Sequence, residues 1–170
     1  MNSSECKTGP DIEQFKAAMA DMPAGVNVIT CRDWQDQPLG STLSAVSSLS
    51  LAPPMMLACF DVGSNTLKSL LPGADFLIHI LAEGQEQLAY SMAGKSHDKF
   101  EQIDWANDAS NLPRLSGCAA VLHCTVGQRV PGGDHVIVTG NVRSVERNEI
   151  PPLVYHRRSL FPMPMKEAAK

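Results

Sequence analysis

Long hydrophobic runs are missing from this sequence. The longest apolar stretches, such as 55-MMLACF-60, are far shorter than the roughly 20 residues that a membrane helix needs. Residues 1–15 have neither a basic start nor an apolar centre, so they do not look like a secretory signal. We therefore expect a cytoplasmic protein that makes no contact with a membrane.

Clustered positive charge is also missing. The 170 residues carry a formal net charge of -4, and the basic side chains are scattered apart from the pair Arg157 and Arg158. Binding to nucleic acid requires a continuous basic surface that can follow the phosphate backbone. We therefore expect no nucleic-acid partner, and a small molecule or another protein in its place.

Three common site motifs are absent as well. The cysteines are odd in number and form no C-x-x-C, which favours reduced thiols in the core over a disulfide framework or a redox motif. The histidines show no metal-ligand spacing, so no metal site is predicted. Because there is no G-x-G-x-x-G, we expect that any nicotinamide dinucleotide is not bound in the Rossmann manner.

The most unusual stretch that is present is 40-GSTLSAVSSLSLAPP-54, which is rich in Ser and Thr and lies in a charge-free region between Gln37 and Asp61. Read as one strand, the even positions from 42 to 50 share a mostly hydroxyl face and the odd positions an apolar face. One interpretation is a solvent-facing edge strand. The other is an uncharged face that hydrogen-bonds a polar ligand.

The rest of the chain alternates short strands with a few helices. Capping residues and apolar spacing predict helices at 11–20, 64–72 and 84–94. Short strands are predicted at 25–31, 55–60 and 76–81, and a long hairpin at 118–130 and 135–147. This length fits one domain, and many short antiparallel strands with a few helices suggest a small β-barrel.

Five segments of the sequence together resemble one family. They are 25-GVNVIT-30, 42-TLSAVSSLSLAPP-54, 97-HDKF-100, 133-GDH-135 and 152-PLVYHRR-158. They resemble the flavin reductase-like proteins of the FMN-binding split barrel, which are short-chain NAD(P)H:flavin oxidoreductases that supply reduced flavin to two-component monooxygenases. Two departures stand out: Asn27 replaces a more usual threonine or valine, and 159-SL-160 stands where another aromatic residue is usual after Tyr155.

The resemblance implies a fold that is mainly β with a few α-helices, a split β-barrel with Greek-key-like antiparallel strands. It extends over about residues 15–158. We accordingly divide the chain into a flexible N-terminal segment (1–10), a flavin reductase-like split-barrel domain (11–161) and a C-terminal tail (162–170).

The resemblance also implies which residues bind the cofactors, FMN or FAD, and NADH or NADPH as hydride donor. The flavin ring and its ribityl chain are expected along Thr42, Leu43, Ser44, Ala45, Ser47 and Ser48. The flavin phosphate is expected where a strand end meets a helix start, with further flavin contacts nearby, at Asp61, Ser64, Asn65, Thr66, Lys99 and Phe100. The nicotinamide dinucleotide is assigned to His135, Tyr155, Arg157 and Arg158, with His135 as the catalytic candidate.

Most of these assignments have structural alternatives that the sequence leaves open. Residues 61–66 also fit an ordinary helix cap, Lys99 a surface residue, and Phe100 a packing anchor. His135 also fits a hairpin residue bonded to its neighbour Asp134. The two arginines also fit a basic tail.

The function that follows from the resemblance is reduction of FMN or FAD by hydride transfer from C4 of the nicotinamide to N5 of the flavin. The partners implied are a second copy, in a homodimer with the flavin site at or near the interface, and a flavin-dependent monooxygenase that receives the reduced flavin. The alternatives are a non-catalytic flavin-binding or flavin-shuttling protein, an oxygenase that uses the bound reduced flavin, and a non-catalytic interaction module.

Overall fold

A computed structural model describes residues 9, 11–94, 96 and 98–164 of the chain. The helices are α1 (Ile12–Ala20), α2 (Asn65–Ser69) and α3 (Glu86–Ala93). The strands are β1 (Ala24–Gly25), β2 (Asn27–Arg32), β3 (Pro38–Leu43), β4 (Val46–Leu51), β5 (Pro54–Asp61), β6 (Asp75–Ile80), β7 (Trp105–Asn107), β8 (Pro113–Leu115), β9 (Ala120–Gly132), β10 (His135–Arg147), β11 (Leu153–His156) and β12 (Ser159–Pro162).

One antiparallel sheet of seven strands, in the order β3-β2-β6-β9-β10-β5-β4, forms most of the fold. Ile29 of β2 and Phe60 of β5 belong to the same buried cluster, although three other strands lie between β2 and β5 in the sheet. Side chains so far apart in a sheet meet only if the sheet curls around them. The predicted antiparallel, mainly β architecture is therefore confirmed.

A second apolar cluster covers the other face of the sheet. It includes Val28 and Leu77 from the sheet, Met92 from α3, Leu115 from β8 and Leu153 from β11. Because strands in the middle of the sheet bury both faces, they read in the sequence as continuous apolar runs, as in 76-FLIHIL-81.

The prediction of one continuous strand through residues 42–51 is wrong. The chain leaves β3 after Leu43 and enters β4 at Val46, and these two strands lie at opposite edges of the sheet. Ser44 and Ala45 make the connection, with the Val46 N–H donating to the Ser44 carbonyl at 3.0 Å. The supposed hydroxyl face therefore does not exist as one surface, because its two halves pair with different strands.

Local signals placed the helices and the long hairpin correctly. The Asp11 side chain caps α1 by accepting from the Glu13 N–H at 3.1 Å, and Ser64 caps α2 by accepting from the Leu67 N–H at 3.3 Å. The turn between β9 and β10 contains Gly133 with φ +70°, a conformation that glycine adopts without strain. The short hairpins β7–β8 and β11–β12 were not predicted.

The cysteines that the structure describes are free thiols, as predicted, and Cys6 lies outside the described residues. Burial raises the pKa of Cys31 and of Cys124 to about 12, so both thiols stay protonated and unreactive. Within the described ranges, no helix has the length and apolar content needed to cross a membrane.

The predicted domain boundaries remain predictions. Of the supposed N-terminal segment only Gly9 is described, so the rest of that segment lies outside the described residues. Strand β12 runs to Pro162, one residue beyond the predicted end of the domain, and the supposed tail is described only as far as Pro164.

Candidate functional site

A cavity of about 450 Å³ opens where the edge strand β3 faces the end of β5. Helix α2 and the last turn of α3 complete its walls. The predicted flavin residues that line it are Thr42, Leu43, Asp61, Ser64, Asn65, Thr66, Lys99 and Phe100. The remaining lining residues are Pro38, Leu39, Gly40, Ser41, Phe60, Gly63, Met92, Ala93, Gly94 and Ser96.

The wall formed by β3 presents backbone groups that pair with no other strand among the residues that the structure describes. β3 pairs with β2 on one side only, so alternate residues direct their N–H and C=O groups to the open side. The Gly40 carbonyl is one of these groups, since it accepts from Lys99 Nζ at 3.0 Å. Free strand-edge donors and acceptors can bind a polar ring without burying an ion.

Gly40 also keeps the cavity open beside α3. A Cβ atom at this position would lie 2.8 Å from the Met92 sulfur and 3.3 Å from the Phe100 ring. The close approach of β3 to α3 therefore depends on the missing side chain.

Two hydroxyls of β3 are used inside the protein. The Thr42 hydroxyl donates to the Ala89 carbonyl of α3 at 2.7 Å, and the Ser41 hydroxyl lies 2.7 Å from the Thr66 hydroxyl of α2. These bonds attach both helices to the edge strand. The interpretation of the Thr42 hydroxyl as a flavin donor is thus corrected, because its one proton already has an acceptor.

The turn from β5 into α2 is held by its own polar side chains. Asp61 Oδ1 accepts from the Gly63 N–H at 2.7 Å, and Ser64 caps the helix as described above. Asn65 Oδ1 accepts from Lys68 Nζ at 2.8 Å. The ordinary cap that the sequence left open is therefore present, in the wall of the cavity.

Lys99 is a half-buried cation that joins two walls. Its Nζ donates to the Gly40 carbonyl and, at 2.9 Å, to the Met92 carbonyl near the end of α3. A positive charge at this end of a helix is stabilised by the helix dipole. Partial burial lowers the pKa of Lys99. Lys99 is not a free surface lysine.

Phe100 serves as a packing anchor as well as a cavity residue. Its ring meets the Trp105 ring edge to face at 5.3 Å, and its carbonyl accepts from the Trp105 indole N–H at 3.1 Å. His97 of the same motif lies outside the described residues.

The other predicted ring contacts lie outside this cavity. Ser44 and Ala45 form the exposed link after β3, at the end of the cavity wall. Ser47 and Ser48 are exposed on β4 at the opposite edge of the sheet. None of these four residues lines the cavity, although the Ala45 carbonyl accepts from the Cys59 N–H of β5 at 2.9 Å.

His135 lies beside the cavity and does not line it. Its Cα pairs with that of Asp61 across β10 and β5, and its half-exposed ring bonds Asp134 Oδ1 through Nδ1 at 2.8 Å. The hydrogen bond from His135 lowers the pKa of the Asp134 carboxyl. The bond to Asp134 that the sequence left open is therefore present, and it leaves the other ring nitrogen available.

The predicted dinucleotide residues occupy the β11–β12 hairpin, away from the cavity. Tyr155 lies on β11 against the second apolar cluster. Arg157 and Arg158 form the turn with φ of +47° and +64°, a left-handed conformation that usually selects Asn or Gly. Arg157 also bonds Asp21 through Nε at 2.6 Å, which joins the hairpin to the end of α1.

Sequence reasoning missed the apolar and glycine part of the cavity. Gly40 is the first residue of the Ser/Thr-rich segment, and no local signal in the sequence indicates its contact with α3. Met92 lies in the helix predicted at 84–94, but the cavity that it lines was not predicted. These residues come together only through long-range packing.

The flavin reductase like domain family matches residues 19–164, so the chain belongs to this family. This confirms the resemblance read from the motifs and, with the fold above, the split barrel. It also confirms the predicted class, an oxidoreductase that works with a flavin and a nicotinamide dinucleotide.

Relatives and solved structures agree with the family. The chain is 36% identical over 150 residues to the actinorhodin polyketide dimerase of Streptomyces coelicolor, covering 87% of this chain and 85% of the relative. It is 35% identical over 161 residues to a flavin reductase (NADH) of Kitasatospora aureofaciens, covering 92% and 84%. The structure of the NADH:FAD oxidoreductase SgcE6 of Streptomyces globisporus with NAD and FAD fragments superposes with TM-score 0.84 at 28% identity, covering 91% and 93%.

Proposed function

We propose that the cavity between β3 and β5 holds the flavin of an NAD(P)H:flavin oxidoreductase. The observation that supports this most is the composition of the cavity wall. It combines the open edge of β3, a surface of hydroxyl and amide groups, one cation at Lys99, one carboxylate at Asp61 and a helix start at Asn65.

The residues present fit a flavin. A volume of about 450 Å³ lies within the ordinary range for small-molecule sites. The isoalloxazine ring is neutral and rich in acceptors, which suits the free N–H groups of the β3 edge. The phosphate is anionic and suits the α2 turn and Lys99, whose Nζ has a third proton besides the two already donated. The Asp61 carboxylate bonds the Gly63 N–H and so shapes this turn.

When bound, the flavin accepts a hydride from the nicotinamide, and this chemistry belongs to the two cofactors. The protein orients them and excludes water. The backbone N–H groups at the β3 edge would donate to the ring and stabilise the negative charge that reduction would place on it. Met92 and Phe100 supply apolar contact, and His135 lies beside Asp61 with one ring nitrogen free to meet the nicotinamide. Holding the two rings in stacked contact removes most of the entropic barrier to transfer.

Steady-state oxidation of NADH and NADPH with FMN, FAD and riboflavin tests this proposal. Turnover that depends on both flavin and dinucleotide is the expected result. The non-catalytic carrier predicts flavin binding without bleaching of the bound flavin when NADH or NADPH is added anaerobically. Oxygenation of an organic substrate by the pure protein would instead indicate an oxygenase.

We also infer a homodimer, in which the second copy completes the site. The separation of β4 and the β11–β12 hairpin from the cavity supports this, because one protomer assembles only part of the predicted set. The edge strand β4 exposes Leu49 and Leu51, and Leu51 is 88% exposed. A free apolar edge of this kind is normally covered in proteins.

Sedimentation equilibrium checks the dimer. We expect twice the monomer mass of 18.3 kDa for the wild type and a weakened dimer for Leu51→Lys. The matched control is Leu71→Lys, since Leu71 is also an exposed leucine but lies after α2. A wild type that stays monomeric at micromolar concentration contradicts the proposal.

The physiological partner that we propose is a flavin-dependent monooxygenase in the cytoplasm. Support comes from relatives that are reductase components of such systems, including one for 4-hydroxyphenylacetate in Thermus thermophilus that is 36% identical. The free, protonated thiols Cys31 and Cys124 suit a reducing compartment.

Lys99 provides a test of the phosphate assignment. Replacement by Met keeps the aliphatic stem and removes the charge, so Kd for FMN should rise by about ten- to a hundredfold, the value of one charge-assisted hydrogen bond. Affinity for riboflavin, which has no phosphate, should change much less. Isothermal titration with both ligands measures the difference, and an equal loss for both would show that Lys99 only supports the walls.

A further inference from the structure

Asn27 is a buried amide at the base of the cavity wall. It is 5% exposed at the start of β2, on the face that carries Ile29 and Cys31. Its Nδ2 donates to the Gly25 carbonyl at 3.1 Å and to the Leu43 carbonyl at 3.4 Å. Because both neighbours are carbonyl oxygens, the Asn27 amide must direct its NH2 group, and not its own oxygen, towards them.

The second of these bonds acts on the last peptide of β3. The Leu81 N–H donates to the Val26 carbonyl, so even residues here direct their backbone groups to β6 and odd residues to β3. Asn27 pairs with Leu43, and the Leu43 carbonyl therefore faces β2. In a planar trans peptide the following N–H points the opposite way. The Ser44 N–H is thus directed to the open edge of β3.

The Ser44 N–H has no acceptor within the described part of the chain. Ser44 is exposed, and it follows directly on Leu43, which lines the cavity. A donor that is held in direction and left unpaired at the end of a cavity wall is suited to a ligand acceptor.

We propose that Asn27 is a positioning residue, which fixes the Leu43–Ser44 peptide so that the Ser44 N–H donates to the pyrimidine end of the bound flavin. The inference rests on the proposed function and goes beyond it, because Asn27 itself does not line the cavity. A donor at the pyrimidine end of the ring stabilises the reduced flavin more than the oxidised flavin, since reduction places negative charge there. Asn27 therefore raises the reduction potential of the bound flavin.

The test compares Asn27→Val with a matched control on the same strand. The control is Thr30→Val, since the buried Thr30 hydroxyl donates to the Pro113 carbonyl on the opposite face of the sheet. Both variants lose buried hydrogen bonds and should lose comparable thermal stability. Affinities for oxidised and reduced flavin, and the midpoint potential of the bound flavin, are then measured by anaerobic titration.

For Asn27→Val we expect affinity for oxidised flavin to fall about threefold and affinity for reduced flavin about thirtyfold. The tenfold difference corresponds to a midpoint potential lower by about 30 mV for a two-electron couple. Thr30→Val should keep the wild-type potential. If the valine variant does not fold, Asn27→Thr serves, since a threonine hydroxyl cannot reach both carbonyls.

The inference is overturned if the Asn27 variants lose equal affinity for oxidised and reduced flavin and keep the wild-type midpoint potential. The amide would then only stabilise the fold. A wild type that binds no flavin overturns this inference together with the proposed function. A wild type that binds and reduces flavin, combined with unshifted Asn27 variants, overturns the inference alone.

Discussion

Between pH 7 and pH 4 the protein is expected to lose about 3 kcal/mol of its free energy of unfolding through one side chain, His79. His79 is fully buried on β6. Its Nδ1 lies 3.1 Å from the Val28 carbonyl, and its Nε2 accepts from the Leu115 N–H at 3.1 Å. The ring is therefore neutral, with its proton on Nδ1, and it joins β2, β6 and β8.

Burial lowers the pKa of His79 from 6.5 to about 4, and the bond to the Val28 carbonyl opposes part of that shift. Between these two values the unfolded chain binds a proton that the folded chain does not. Stability from this group is therefore complete above pH 6.5 and is lost as the pH falls towards 4. Protonation of Nε2 would also break the hydrogen bond from Leu115, because the Nε2–H and the Leu115 N–H are both donors.

Urea denaturation from pH 4.5 to pH 7 measures this effect. His79→Gln should lower stability at pH 7, because one of the two bonds is lost, and should flatten the pH dependence relative to wild type. His156→Gln is the matched control, since that ring is only half-buried on β11. If the free energy of unfolding of His79→Gln depends on pH as steeply as that of the wild type, the acid sensitivity comes from carboxylates and not from His79.

The second large effect is expected at the proposed nicotinamide contact. His135→Ala should slow flavin reduction about ten- to a hundredfold at saturating donor, or weaken donor affinity by a similar factor. The reason is that the free nitrogen of the ring acts once donor and flavin are stacked, so its contribution appears mainly in the transition state. Flavin affinity should survive, because His135 does not line the cavity.

Anaerobic stopped-flow absorbance measures the reduction step directly. Asp134→Asn is the companion variant, since it keeps the imidazole and weakens the bond at Nδ1 that orients the ring. We expect an intermediate rate for it. If His135→Ala reduces flavin at the wild-type rate per loaded site but melts at lower temperature, the histidine is a turn residue. The donor-site candidates are then Tyr155, Arg157 and Arg158.

The sequence predicted which residues share one site, but it did not predict the contact that each side chain makes. The sequence placed Thr42, Ser64, Thr66 and Lys99 in one site, and in the structure all four line the same cavity. It did not show that the Thr42 hydroxyl is already bonded to Ala89. Whether a hydroxyl faces a ligand or a neighbouring helix depends on packing between segments that lie far apart in the chain.

Features that depend on residues close together in the chain could be predicted from the sequence. The caps at Asp11 and Ser64, the long β9–β10 hairpin and the buried thiols follow from short-range preferences and apolar patterning. The family motifs and the strand-to-helix turn at 61–66 added eight of the eighteen residues that line the cavity. Each of these signals is contained in a short stretch of the sequence, so none of them reports contacts between distant segments.

Tertiary structure alone decided where the Ser/Thr-rich segment divides. Alternation of apolar and polar residues reports a strand but not its partner, so it could not show that β3 joins β2 while β4 joins β5. These strand pairings depend on how the seven-stranded sheet curls around the buried cluster that includes Ile29 and Phe60. The curling brings the open edge of β3 to the end of β5, and the cavity forms between them because no strand of the described residues fills the gap.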